Sequence, residues 1–387
     1  MPEPTEKAMR FYTTGNMFYI LTVALGFLIP ALFLFTGFSA KIRDWSVKTG
    51  RKWFFIIACY IAIFTVIEAI IYFPLDYYLG FVRLHDYGLS NQIFGKWFGD
   101  SMISLGLSLF LGVLIIWIPY LLFKKSPKRW WLYTGLAFIP LLLFVVLITP
   151  VLIDPLYNDF GPMKNKELEA KILDLAETAG IEGSRVFEVN KSVDTEAVNA
   201  YVTGFGGTKR IVLWDTIIEK LDEDELLVVM AHEMGHYALN HVMTGILFAI
   251  AGTFLVLYLV YRTIWFMIRK FGGRFRFDRL DDIASYPLLM LMISFYSFLG
   301  NPLVNAFSRY LERESDRFAL EITHDNRAAA EAFVKLQYEN LANPRPGIIY
   351  TIMRASHPSL GDRIDFCNEY KPWETGEELK YGHLFRR

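Results

Sequence analysis

Two histidines four residues apart with a glutamate between them, His232-Glu233-Met234-Gly235-His236, are the residues of this chain best suited to chemistry. On a helix, positions i and i+4 lie about 40° apart and one turn along, so both imidazoles can bind one tetrahedral Zn2+. Glu233 can then reach a water held there and act as general base. The plain alternative is a pair of solvated histidines on a helix face. A hydrolytic zinc also needs a third protein ligand and an open coordination position. Glu312 is the candidate, within Ser308-Arg309-Tyr310-Leu311-Glu312-Arg313-Glu314-Ser315-Asp316. Asp316, four residues on, shares its helix face and suits a carboxylate that orients a ligand from behind. Glu314 points to another face and is the weaker ligand candidate. Taken alone the cluster reads as a solvated, ion-paired face, because Arg309, Arg313 and Arg317 interleave with the acids.

The elements around these residues change that reading. Of 387 residues, 53% are hydrophobic and 33 are Phe, and they lie in long blocks, the pattern of a membrane protein. Six blocks reach the roughly 20 apolar residues of a membrane span: about 17–38, 53–73, 101–123, 130–152, 242–261 and 283–307. Trp53, Tyr120, Trp130, Trp131 and Trp265 stand near block ends, where aromatic rings sit at the headgroup level. The first block is too long for a signal-peptide core and is expected to be a retained span. The formal net charge of −1 gives no basic field for nucleic acid. Cys59 and Cys367, the only cysteines, can build neither a disulfide framework nor a cysteine zinc site.

Between the fourth and fifth blocks, 153–241 is polar with a mixed α/β pattern. It predicts an amphipathic helix over 164–179, strands over 185–190 and 210–214, and a further strand over 197–203. Asp222 offers an N-cap with Glu225 as capping-box partner, opening a helix over 223–241 that contains the histidine motif. After the sixth block, 308–333 reads as helical, and Asn343-Pro344-Arg345-Pro346-Gly347 is a breaker.

His236 lies six residues before the fifth block and Glu312 five after the sixth, so each is within about 10 Å of its span's end at 1.5 Å per residue. A short connection over 262–282 pairs the two spans antiparallel, so both groups emerge on one side and close together. His241, five residues after His236, would stand about 140° round a continuous helix; it is expected outside the site, as a polar residue at the membrane border. Glu68, inside the second block, is an ionisable group that faces either a protein interior or a wet cavity.

Several segments together resemble the integral-membrane CAAX prenyl endopeptidases, gluzincin metalloproteases of the type I CAAX class. They are Asn199-Ala200-Tyr201 with Thr203-Gly204-Phe205, then Lys209-Arg210-Ile211-Val212-Leu213-Trp214-Asp215-Thr216, the motif region 231–241, 308–316, and Ser356-His357-Pro358-Ser359 through Arg363-Ile364. Upstream, His85-Asp86-Tyr87-Gly88-Leu89-Ser90-Asn91-Gln92 is similar to a loop of that family's N-terminal membrane domain. The resemblance covers nearly the whole chain. It implies that His232, His236 and Glu312 hold one Zn2+, that Glu233 is the acid/base, and that Asn199, Ala200 and Tyr201 belong to an edge strand binding substrate backbone. It further implies that His357 and Arg363 face the bound peptide and its developing oxyanion. Such proteins enclose a chamber within a ring of membrane helices.

Two features depart from the eukaryotic pattern. That pattern has seven spans and this chain six, the first being absent. The loops 39–52, 124–129 and 262–282 carry five, four and at least five Lys/Arg, against two each for the N-terminus and the 74–100 loop. The positive-inside rule then leans toward a zinc domain facing away from the cytoplasm.

The sequence therefore predicts a mainly α-helical polytopic membrane protein with a small α+β zinc metalloprotease domain. Residues 1–152 would form a four-span membrane domain, and 153–387 a metalloprotease domain interrupted by spans at about 242–261 and 283–307. The expected activity is hydrolysis of peptide bonds in membrane-associated or prenylated CAAX-type substrates. A quality-control endopeptidase without prenyl preference is the alternative, and a transporter or receptor keeping a structural zinc a distant third. The expected partners are the bilayer and protein or peptide substrates, with no nucleic acid. A bacterial cell membrane is favoured, or the endoplasmic reticulum membrane in a eukaryote.

Overall fold

A computed structural model describes residues 2–181, 183, 185–203 and 209–386. Among the described residues six helical segments are long and apolar enough to span a membrane, at Glu6–Phe35, Trp53–Asp86, Phe94–Lys125, Trp130–Leu156, His241–Phe275 and Ile283–Thr323. The last five contain the corresponding apolar blocks and run beyond them into polar flanks, whereas the first starts earlier than its block and ends at Phe35, because a turn at Thr36-Gly37 separates Phe38 into the next helix.

The main membrane-domain helices are α1 (Glu6–Phe35), α2 (Phe38–Gly50), α3 (Trp53–Tyr77), α4 (Phe94–Ile115), α5 (Trp117–Lys125) and α6 (Trp130–Ile148). Thr5 caps α1 by accepting the Ala8 N–H at 3.1 Å. The helices converge on an apolar core that includes Phe33, Tyr60, Phe64, Tyr120, Phe123, Trp130 and Phe275. A buried polar knot ties this end together: Ser39 Oγ meets Tyr60 OH at 2.6 Å and the Ala284 carbonyl at 2.7 Å, and Tyr120 OH meets Ser285 Oγ at 3.0 Å. Away from that knot the spans do not close into a solid bundle. The most apolar windows of the segments Phe94–Lys125 and Trp130–Leu156 bury none of their residues, and no window buries more than 33%.

The polar domain carries a four-stranded mixed sheet of β1 (Phe160–Pro162), β2 (Arg185–Val189), β3 (Ala200–Thr203) and β4 (Arg210–Trp214), in the order β1-β2-β4-β3. Strands β2 and β4 are parallel, with Phe187 opposite Val212. The short strand β3 runs antiparallel to β4, Ala200 opposite Leu213, and forms the edge. Gly204 and Phe205, part of the family-like motif after β3, lie outside the described residues. Between β1 and β2 runs α7 (Lys166–Thr178), capped by Asn165.

Helix α8 (Glu223–Ala238) carries the histidine motif. It opens with the expected capping box, Asp222 N donating to Glu225 Oε2 at 2.8 Å. It ends sooner than the pattern predicts, because Asn240 is left-handed (φ 56°) and a new helix, α9 (His241–Phe275), begins. Antiparallel to α9 runs α10 (Tyr286–Thr323), 38 residues without interruption and with Pro302 inside it. The predicted helical stretch 308–333 is thus divided between α10 and α11 (Asn326–Glu339). Two short helices follow, α12 (Ile348–Met353) and α13 (Leu360–Glu369). Met230, Met234, Ile211, Leu213 and Phe318 form the core that seats α8 between the sheet and α10. A Cβ on Gly235 would stand 3.2 Å from Phe318, a tight contact that the glycine relieves as α8 packs on α10.

Candidate metal centre

Helix spacing places His232 and His236 on one face of α8, with their Nε2 atoms 3.2 Å apart. The antiparallel pair α9–α10 brings Glu312 to them. Its Oε2 is 3.2 Å from His232 Nε2 and its Oε1 3.3 Å from His236 Nε2. Zinc–ligand distances of about 2.0–2.1 Å in a tetrahedron require donor separations of about 3.3–3.4 Å, and the two imidazoles and the two carboxylate oxygens stand close to that spacing. These three residues are the metal-competent group found among the described residues. Glu312 Oε2 is buried and, apart from the close approach of His232 Nε2, makes no well-directed hydrogen bond, so it is placed to meet a cation. Burial opposes charge on His232, yet Asp316 and Glu312 outweigh it and push its pKa up to about 10, so the pocket draws a positive charge. Two imidazoles and a carboxylate are a zinc donor set, and the residues fit the ion.

Behind His232 stands Asp316, its Oδ1 2.8 Å from His232 Nδ1, which fixes the ring with Nε2 toward Glu312. Arg363 donates to both oxygens of Asp316, Nε at 2.9 Å and Nη2 at 2.5 Å, and its Nη2 also lies 3.3 Å from His232 Nδ1. Burial works against the Arg363 charge, but Asp316 raises its pKa above the usual value. Arg363 therefore sits behind the donor set as well as lining the cavity. His357 occupies the lip: its side chain is 59% exposed, its Nε2 is 3.3 Å from Glu312 Oε1, and its Nδ1 meets Ser356 Oγ at 2.9 Å. A cavity of about 430 Å³ is lined by Asn199, Ala200, His232, Glu233, His357 and Arg363, among others. Burial raises the pKa of the Glu233 carboxyl, opposed by His232 and His236.

Alternation along β3 separates its residues: Ala200 lines the cavity, whereas Tyr201 turns its hydroxyl onto Asp154, and burial pushes its pKa up to about 12. Glu314 points away, to Lys380, Tyr381 and Arg317, and pins the C-terminal segment to α10.

His241 requires a correction. It is buried, with Nδ1 3.1 Å from His236 Nδ1, and therefore stands against the site, although as the first residue of the span His241–Phe275 it is also at the border of the apolar helix. The 140° argument assumed one continuous helix, and the left-handed turn at Asn240 cancels it. Asn two residues after the last helical position is the signal that could have shown the break. A second group was not foreseen. Asn301 donates to the Met353 carbonyl (2.6 Å), Asn305 to Ile352 (3.1 Å), and Arg309 to Thr351 and Ala355 (both 2.7 Å). Spaced i, i+4, i+8 on α10, they satisfy the C-terminal carbonyls of α12 and hold the segment that leads to His357.

Comparison with known proteins agrees with this geometry. Residues 162–371 match peptidase family M48, and residues 2–159 match the family described as CAAX prenyl protease N-terminal, five membrane helices, a stretch in which this chain has four candidate spans. A Bacillus subtilis protein named "Uncharacterized metalloprotease YhfN" is 39% identical over 373 residues, covering 95% of this chain and 86% of that one. The CAAX prenyl protease 1 homolog of Dictyostelium discoideum is 29% identical, covering 93% and 84%, and CAAX prenyl protease 1 of Saccharomyces cerevisiae 28%, covering 81% and 73%. The crystal structure of S. mikatae Ste24p superposes with a TM-score of 0.80 at 26% identity, covering 93% of this chain and 87% of that one. Fold and site define a multi-pass membrane metalloprotease. The chain belongs to peptidase family M48.

Proposed function

We propose that the protein is a zinc endopeptidase that hydrolyses peptide bonds of membrane-associated or prenylated substrates, with Glu233 as general acid/base. The observation that carries this reading is the convergence of His232, His236 and Glu312 at 3.2–3.3 Å, with His232 and Glu233 both lining the neighbouring cavity. Zinc, when held by His232, His236 and Glu312, supplies a Lewis acid for the scissile carbonyl and makes water a stronger acid.

The chain's own residues supply the rest. Glu233, its pKa raised by burial, takes the proton of the attacking water and delivers it to the leaving amine. His357, at the lip, donates toward the oxyanion that develops on the carbonyl oxygen. Arg363 keeps Asp316 ionised and in register, and Asp316 keeps the His232 ring in place. The edge strand β3, with Asn199 and Ala200 at the cavity, receives an extended substrate by adding a strand to the sheet. Spans with both faces accessible support an enclosed chamber that admits chains from the bilayer or in extended form.

Glu233→Gln should leave zinc content unchanged and reduce cleavage by about 10²–10⁴-fold; retained cleavage would remove Glu233 from this role. Substrate class is decided by comparing a farnesylated CAAX peptide with the same peptide unlipidated. Equal rates would favour the second reading, a membrane quality-control endopeptidase. That reading draws on the Bacillus relative at 39% identity, whose name specifies a metalloprotease and no CAAX substrate. A bacterial cell membrane is the proposed location on the same ground.

A further inference from the structure

His236 binds through Nε2 if it binds a metal here, because Nε2 is the nitrogen facing His232 and Glu312. A neutral imidazole that gives its Nε2 lone pair to a cation carries its proton on Nδ1. On this half-buried ring that N–H is best met by an acceptor within the protein. The group in hydrogen-bond reach of His236 Nδ1 is His241 Nδ1, at 3.1 Å. We propose that His241 is a positioning residue, which accepts the Nδ1–H of His236 and so holds that ring with Nε2 toward the metal. The inference rests on the reading of His232, His236 and Glu312 as a zinc site.

Three features carry it. The contact exists only because the chain breaks at Asn240 (φ 56°, ψ 32°), which starts a new helix and returns residue 241 to the back of His236. His241 is buried and has a second neighbour at the same nitrogen, the hydroxyl of the fully buried Ser315 at 3.2 Å. Ser315 adjoins Asp316 in sequence, so one turn of α10 backs both imidazoles: Asp316 meets His232 Nδ1 directly, and Ser315 packs against His241, whose single Nδ1 lone pair takes the His236 proton. The two supports differ in charge. Asp316 brings a negative charge that Arg363 neutralises, whereas an imidazole with its proton on Nε2 gives His236 an acceptor and adds no charge to a buried site already holding Glu312 and Glu233.

The test is zinc affinity of the purified full-length protein in detergent, by competition with a chromophoric chelator, together with the visible spectrum of the Co2+ form. His241→Ala should weaken zinc binding about 10–100-fold and shift the Co2+ spectrum. His241→Asn, whose Oδ1 can stand where Nδ1 stood, should recover most of the affinity and the wild-type spectrum. His241→Leu, which fills the volume without an acceptor, should bind as weakly as Ala. Leu or Ala at wild-type affinity with an unchanged spectrum would overturn the proposal, as would Asn no better than Leu at matched thermal stability. A wild-type protein that binds no zinc would instead overturn the metal reading on which this one rests.

Discussion

Asp316 and Arg363 are both buried, and each is tolerable there only beside the other. Replacing Arg363 with Met leaves a buried carboxylate without its cation, which costs about 3–5 kcal/mol; thermal unfolding in detergent checks this, and unchanged stability would show that water reaches Asp316. Asp316→Asn keeps the shape but weakens the support of His232, and zinc affinity should fall about 10–100-fold. The Cys367 thiol is pushed up to about 12 by burial, so an alkylating reagent should leave it unmodified in the native protein at neutral pH and label it on unfolding. At this scale the sequence was legible where chemistry is local. His232, Glu233 and His236 follow from helix periodicity alone, whereas Glu312 needed the antiparallel pairing of two spans. His241 stayed hidden because one left-handed residue resets the phase of everything after it. The outward turn of Tyr201 depends on the register of β3 against β4, which the sequence does not specify by itself.

Helices reach further than their apolar blocks because polar residues with good helix propensity extend them once a turn exists. That is why α9 runs to Phe275 and α10 to Thr323, well beyond the bilayer-length cores visible in the pattern. Short pieces were the least legible: β1 has three residues and α12 six, and both are fixed by neighbours and not by periodicity. The neighbours of α12 are the side chains of Asn301, Asn305 and Arg309. Arg309→Leu strips two carbonyls of a charged donor, worth about 1.5–3 kcal/mol per bond, and loosens the segment ahead of His357. The expected result is a lower kcat with zinc content unchanged; loss of zinc instead would place Arg309 in the support of Glu312.

As a whole the molecule is firm at two ends and thin between them, with one core at the polar knot and others around α8. The enclosed chamber proposed for these spans predicts that short or unfolded chains are cleaved far faster than the same sequence inside a folded domain, and equal rates would argue for an open cleft. The basic loops gather at the knot end, where Arg43 pairs with Asp282. The positive-inside rule then expects a reporter near Lys128 in the cytoplasm and one on the C-terminal segment across the membrane; the reverse labelling would show that the first span overrides charge.

The uninterrupted run of α10 makes it a lever. Thirty-eight residues extend about 57 Å, and Glu312 stands about 39 Å from the Tyr286 end, so one degree of tilt there displaces it by about 0.7 Å. Glu312 rides on that arm, while His232 and His236 sit on α8, a separate helix joined to its own span through the turn at Asn240 and the His236–His241 contact. Donors set 3.2–3.3 Å apart have no slack of an ångström. A change in bilayer thickness that tilts the spans therefore opens or tightens the donor triangle itself. In vesicles of graded acyl length the activity should pass through a maximum, with the enzyme acting as a gauge of the lipid around it.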